Sequence, residues 1–190
     1  ALQKDRNREA RSRGRPLMNE MIKKRRDKLA LKEGYIGLLV RIMILASIGV
    51  LLFTQVFLIA RVKGNEMFPA VKDGDLVLAF RLQQNYEKND LISYKLDGRR
   101  RIGRVIAQEN DLVNMDDDGK LLVNAAIQSG EIMYPSYPRD TLEYPYEVPE
   151  GHVFILGDYR TQAKDSRDFG AIPKKEIEGK VITILRRRGL

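Results

Sequence analysis

The chain has 190 residues, a formal net charge of +8, one histidine and no cysteine, a length that fits one ordinary domain with accessories. Without cysteine there is no disulfide framework, no Cys-based zinc or iron–sulfur site and no thiolate nucleophile. A lone His152 cannot build a multi-histidine metal centre, so neither a metal nor a cofactor is expected.

The charge is unevenly placed. Residues 1–35 hold 12 Lys/Arg against 5 Asp/Glu, Arg41 adds one cation, and residues 61–190 hold 21 of each sign. A nucleic-acid groove needs Lys and Arg concentrated on a folded surface, often beside stacking aromatics. The neutral C-terminal part shows no such concentration, and no nucleic-acid partner is expected.

In chain order, residues 1–15 are polar, with Arg6, Arg8, Arg11, Arg13 and Arg15 between small or polar neighbours. Such a composition cannot bury a core and predicts an arm without order of its own. Residues 17–32 set Met18, Met21, Ile22, Leu29 and Leu31 among charged helix formers, which suits a juxtamembrane helix or a solvated charged run. Residues 42–60 are 19 residues without a charge, about 28 Å as a helix and close to one hydrocarbon thickness. Arg41 then marks the cytoplasmic edge, where its head can reach the headgroups. The long leading arm and full-length apolar core fit an uncleaved signal anchor rather than a cleaved signal peptide. The expected organisation is a basic cytoplasmic arm (1–35), a single transmembrane anchor (36–60) in the plasma membrane, and an extracytoplasmic domain (61–190).

Beyond residue 60 the apolar runs shorten. Strands are predicted at 76–80, 91–94, 102–107, 121–123, 153–156 and 180–185. They are punctuated by Asp73-Gly74-Asp75, Asp97-Gly98, Asp118-Gly119, Gly157-Asp158 and Glu178-Gly179, the residues that turns require. Residues 135–149 carry four prolines and three tyrosines, too irregular for a central strand, and read as an extended excursion over the surface. The domain is expected to be mainly β. His152, just ahead of the 153–156 run, reads as a partly exposed structural imidazole.

Four short motifs occur in order: Gly64-x-Glu66-Met67-x-Pro69, Gly74-Asp75, Arg104-Val105-Ile106, and Gly157-Asp158-Tyr159-Arg160 followed by Asp165-Ser166-Arg167. Together, behind an anchor helix, they resemble the type I signal peptidases (peptidase family S26), membrane-anchored enzymes with a Ser/Lys dyad. The resemblance implies a signal-peptidase-like antiparallel β domain preceded by one N-terminal transmembrane helix. It places the nucleophile at Glu66, the general base at Gly103 and a lysine-supporting serine at Ala163, so all three positions depart from the family pattern, as does Tyr159 where Asn is usual. Met67, Pro69, Gly74, Asp75, Arg104, Gly157, Asp158, Asp165, Ser166, Arg167 and Gly170 match.

A serine attacks a peptide carbonyl only when a base takes its proton. Gly103 has no side chain for this, a carboxylate at Glu66 opposes the developing oxyanion, and the guanidinium of Arg101 stays protonated. Lys95 and Arg104 are neighbours that the strand alternation turns away. Ser93 and Ser166 are spare hydroxyls; Ser166 reads as bracing the turn in which Asp165 pairs with Arg167. The resemblance therefore implies a protein without catalytic residues. Its peptide-binding groove would include Glu66, Met67, Pro69, Gly103 and Arg104, and its structural frame Gly64, Asp158, Asp165, Ser166 and Arg167. Similarity to the catalytically incomplete signal-peptidase-like proteins of Gram-positive pilus loci implies a pilus-assembly accessory or chaperone. Its partner would be a pilin or preprotein segment at the outer face of the plasma membrane, with sortase machinery possible beside it. Two alternatives stay open: an active signal peptidase with unusual chemistry, and a structural membrane scaffold using the basic arm.

Overall fold

In the computed structural model, residues 2–128 and 134–186 are described. They divide into two compact units, Ala1–Leu52 and Phe53–Leu190.

Helix α1 runs over Leu2–Val56. The segment expected to lack order on its own is thus helical in backbone from Leu2, continuous with the helix predicted at 17–32. Within α1, Lys23–Val56 is long and apolar enough to cross a membrane. The uncharged run does not stay helical to its end. The helix stops at Val56 and Phe57–Arg61 forms strand β1. Residues 42–56 make only about 22 Å of uncharged helix, short of the roughly 30 Å hydrocarbon core. Residues 35–56 reach about 33 Å and place Arg41 roughly 9 Å inside the apolar segment, within snorkelling reach.

The second unit is antiparallel β. Its strands are β2 (Leu76–Phe80), β3 (Leu91–Leu96), β4 (Arg99–Ala107), β5 (Leu112–Met115), β6 (Leu121–Val123), β7 (Ala126–Ile127), β8 (Tyr146–Glu147), β9 (His152–Leu156), β10 (Ile172–Pro173) and β11 (Ile177–Leu185), with one short helix, α2 (Ser166–Phe169). Seven strands form a sheet in the order β1-β2-β11-β3-β4-β9-β10, and four form a second in the order β7-β6-β5-β8. The six predicted strands are present; β1, β5, β7, β8 and β10 lacked a clear sequence signal.

Strand β9 is buried on both faces, which is why its sequence is a continuous apolar run rather than an alternation. Val153 and Ile155 point into a cluster with Tyr86, Ile92, Tyr94, Val105 and Ile172. Phe154 and Leu156 point into the opposite cluster with Ile106, Val113, Leu121 and Val148. A third cluster joins Ala60, Val62, Met67, Val71, Val77 and Ile102, and so ties β1, β2 and β4 to the loop between β1 and β2.

Asp97-Gly98 makes a two-residue hairpin with both residues at positive φ, 51° and 72°, the geometry that matches strand twist. Glu178-Gly179, expected to be a turn, is instead an irregularity inside β11, where the register against β3 shifts between Ile177 and Gly179. A Cβ on Gly179 would lie 2.6 Å from Phe80 O, so only glycine fits this bulge. The residue beside it gathers a cluster: Glu178 accepts from Arg100 Nε and Nη2 and pairs with Lys95 Nζ at 3.3 Å. The 135–149 excursion is clamped rather than loose. Arg160 Nη1 donates to Ser136 Oγ, Arg139 binds Asp168 and Ala163 O, and Arg167 Nη1 donates to Tyr137 O.

The hydrogen bond from Arg100 holds the Glu178 carboxyl below its ordinary value of 4.5, with burial opposing. A depressed folded-state pKa stabilises above the unfolded value, and that stabilisation is lost as pH falls through the lower folded value. Equilibrium unfolding at a series of pH values from 6 downward should show stability falling below about pH 4.5. Glu178→Gln should have a flatter acid limb.

Candidate active site

The β1–β2 loop is a closed turn built by its own polar side chains. Gly64 N donates to Asp73 Oδ1 at 2.8 Å, Asp73 N to Asn65 Oδ1 at 3.2 Å and Lys72 N to Asp75 Oδ2 at 2.9 Å. Val62 N donates to Asp75 O and Gly74 N to Val62 O, at 2.8 and 3.0 Å. Met67, 2% exposed, plugs the loop into the third apolar cluster, and the Phe68–Pro69 peptide is cis. Glu66, next to this plug, has its backbone fixed by the carbonyl that accepts from Tyr159 N at 3.0 Å.

The Glu66 side chain is not free. Its Oε1 accepts from Arg101 Nη1 at 2.8 Å, with side-chain exposures of 29% and 19% for Glu66 and Arg101. Arg101 lies on β4 two residues from Gly103 and on the same face. Its Nε is buried and has no partner among the described residues. Gly103 opens no cavity: a Cβ there would lie 3.3 Å from Tyr94 Cε1 and 3.4 Å from Ile155 Cδ1. Burial raises the Tyr94 phenol pKa, and the Glu66 charge adds to the rise, so the phenol stays protonated at neutral pH.

Gly157 is packed as tightly. A Cβ there would run into Ala163 Cβ and lie 2.7 Å from Glu66 O. Glu66, Gly157 and Ala163 therefore meet directly, and Gly103 sits against Tyr94 and Ile155. Three rings line the loop, with Phe68 and Tyr134 flanking Tyr159 at centroid distances of 6.0 and 4.9 Å.

The last motif is held by two charge pairs, one buried on both sides and one with a partly exposed arginine. Arg104 grips Asp158 through two bonds, Nε–Oδ1 at 2.8 Å and Nη2–Oδ2 at 2.6 Å. Asp165 caps helix α2 and accepts from Arg167 N, Nε and Nη2 and from Gly157 N. Arg167 Nη2 also donates to Arg160 O at 2.6 Å. Arg160 is buried among these groups, and burial pushes its guanidinium down to about 10. The Ser166 hydroxyl accepts from Ile155 N at 3.0 Å, which ties α2 to β9 rather than bracing the Asp165–Arg167 turn. His152 Nδ1 donates to Glu150 O at 2.8 Å at the start of β9. Among the described residues there is no cluster of His, Cys, Asp and Glu that could hold a metal.

The pairing of Asp165 with Arg167 was legible from their adjacency. The Arg101–Glu66 pair was half legible, since Arg101 was placed on the face of Gly103 without a partner. Nothing in the sequence joined Arg104 to Asp158.

Backbone edges complete the site. Strand β4 pairs with β3 from Arg99 to Arg104, but its pairing with β9 begins only at Arg104. Among the described residues, 99–103 thus leave one edge unpaired, and β1 pairs with β2 alone. The loop carrying Glu66 follows directly from β1.

The family described as "Signal peptidase, peptidase S26" matches residues 35–185. The chain belongs to this signal peptidase family. It is 32% identical over 134 residues to the probable thylakoidal processing peptidase 2 of Arabidopsis thaliana, covering 64% of this chain and 36% of that protein. It is 29% identical to signal peptidase I of Bacillus licheniformis, covering 62% and 70%. It is 25% identical to a Staphylococcus aureus protein named inactive signal peptidase IA, covering 74% and 86%. The chain therefore spans little more than a third of the Arabidopsis relative. A signal peptidase I structure from Enterococcus faecalis aligns with a TM-score of 0.45 at 29% identity, over 52% of this chain and 97% of that one.

Within this family frame, Arg167→Met should leave Asp165 buried without its counter-charge. The expected loss is about 3–5 kcal/mol, the cost of orphaning a buried ion, read as a lower urea midpoint by far-UV circular dichroism.

Proposed function

We propose that this chain is a membrane-anchored signal-peptidase-like protein that binds an extended peptide without cleaving it. The observation that carries the reading is the Glu66–Arg101 ion pair at 2.8 Å. At the position where the family resemblance puts the nucleophile, a carboxylate is already neutralised by a guanidinium. The guanidinium never deprotonates near neutrality and so cannot serve as the base, and a carboxylate at Glu66 would put negative charge where an oxyanion has to develop. The position corresponding to the base, Gly103, is packed over by Tyr94 and Ile155. The unpaired edges of β1 and of residues 99–103 offer main-chain donors and acceptors for a strand to add, which needs no dyad. On this reading the ligand is a pilin segment and the role that of a pilus-assembly accessory beside sortases at the outer face of the plasma membrane, a choice supported by similarity to the catalytically incomplete signal-peptidase-like proteins of pilus loci. A relative named inactive signal peptidase IA supports a non-cleaving member of the family.

A second reading, an active peptidase, is favoured by the processing-peptidase and signal-peptidase names of the other relatives and by the retained frame residues.

The two separate in one assay, with full-length protein in detergent incubated with a preprotein and with a pre-pilin. The proposal expects co-purification of the pre-pilin and no cleavage; a product that vanishes in Glu66→Ala would overturn it. Gly103→Lys tests the packing argument. A Cβ there lies 3.3 Å from Tyr94 Cε1, so the ring must yield by a small shift, and we expect about 1 kcal/mol of destabilisation, measured as a lower thermal midpoint.

A further inference from the structure

Three polar side chains beside Gly103 keep hydrogen-bonding capacity that the fold leaves unused. Glu66 gives one carboxylate oxygen, Oε1, to Arg101 Nη1, and its Oε2 has no partner among the described residues. Arg101 makes that single bond, so among the described residues its Nη2 and its enclosed Nε are both unpaired. Tyr94 stands directly opposite Arg101 in the β3–β4 ladder, on the same face and with its Cβ about 5 Å away. Tyr94 is 1% exposed, and its hydroxyl makes no hydrogen bond among the described residues. The fully enclosed unpaired side-chain atoms among those residues are Arg101 Nε and Tyr144 Oη. The Tyr94 hydroxyl is therefore unpaired and still in touch with solvent.

The same three groups act on one another. The Glu66 charge adds to the rise that burial imposes on the Tyr94 phenol, and the Arg101 charge opposes it. The hydroxyl thus stays protonated at neutral pH and remains a donor. The ring that carries it lies against the bare Cα of Gly103, 3.3 Å from where a Cβ would stand.

A strand added along the free edge of residues 99–103 would extend the row Tyr94–Arg101 by one residue. The side chain opposite Arg101 on this face would then arrive beside all three groups. Donors wait there at Arg101 and Tyr94, an acceptor waits at Glu66, and the charges of Glu66 and Arg101 cancel. An incoming carboxylate would meet Glu66, an ammonium would meet Arg101, and an alkyl group would leave donors and acceptor unmatched. A primary carboxamide offers its oxygen to the donors and its NH2 to the carboxylate, so it alone of these satisfies both sides.

We propose that Glu66, Arg101 and Tyr94 form a subsite that selects an asparagine or glutamine side chain in a bound extended peptide. The inference rests on the peptide-binding reading and adds to it the residue type that the groove prefers. Bonds in which one partner is ionised are the stronger kind, and Glu66 and Arg101 supply one on each side of the amide.

The probe is a dye-labelled nonapeptide, Thr-Val-Thr-Ala-X-Ala-Thr-Val-Thr, with X as Asn, Gln, Ala, Glu or Lys, titrated with full-length protein in detergent and followed by fluorescence anisotropy. The tighter of the two carboxamide peptides should bind about tenfold better than the Ala, Glu and Lys peptides. Tyr94→Phe removes the hydroxyl and keeps the ring over Gly103, so it should lower that preference about threefold with little change for the Ala peptide. Arg101→Lys keeps a positive charge opposite Glu66 without the guanidinium fork and should lower it as well. Equal affinity across the series, tighter binding of the Glu or Lys peptide, or a preference unchanged in Tyr94→Phe overturns the subsite and leaves peptide binding standing. Binding of none of the five peptides overturns the peptide-binding reading along with it. Cleavage of a bound peptide with the carboxamide preference intact refutes only the non-cleaving part of that reading and supports the subsite.

Discussion

The interaction on which the candidate site depends is the buried pair of Asp165 and Arg167, both about 2% exposed. A carboxylate removed from water must fill its lone pairs, and this one does so with donors from three places: the guanidinium, the start of α2 and Gly157 N. Those bonds fold residues 157–167 into a single compact turn. The turn in turn aims Tyr159 N at Glu66 O and presses Gly157 and Ala163 against the same carbonyl. The nucleophile-like position is therefore set from across the fold, by a charge pair that never touches its side chain.

The second pair, Arg104 with Asp158, locks that turn to β4. Arg101 and Arg104 sit three residues apart on one strand, so alternation sends them to opposite faces, one to Glu66 and the other to Asp158. Strand β4 thus holds both the loop after β1 and the turn after β9. A two-point bond between planar groups fixes orientation as well as distance, and Asp158, nearly fully buried, has that bond. Glu66 and Arg101, with one bond and partial exposure, form the softer of the two contacts. The frame around the site is rigid where the family resemblance finds agreement and adjustable where it finds departure.

Much of the fold was legible because burial leaves a period in the sequence. Strands β2 and β6 bury alternate residues, and β9 buries every residue after His152, so both patterns read correctly. Strand β1 was hidden because its residues prolong an apolar run with no Gly or Pro at the point where the period changes from 3.6 to 2. Gly179 was misread because a bulge and a turn ask the same thing of a residue, freedom from a Cβ. Within the site, contacts between sequence neighbours were visible. Contacts across 35 and 54 residues were not, since any acid and any base in the chain could in principle have met.

The direct passage from helix to strand at Val56 has a consequence for how the chain can vary in length. Residues added or lost within α1 change its reach by about 1.5 Å each and leave the sheet untouched. One residue inserted between Phe57 and Arg61 would exchange the faces of β1, turning Leu58 and Ala60 out of the third cluster and Ile59 into it. Changes in the length of the candidate membrane span are therefore accommodated on the helical side of that junction, and the five residues after it form a fixed-length segment.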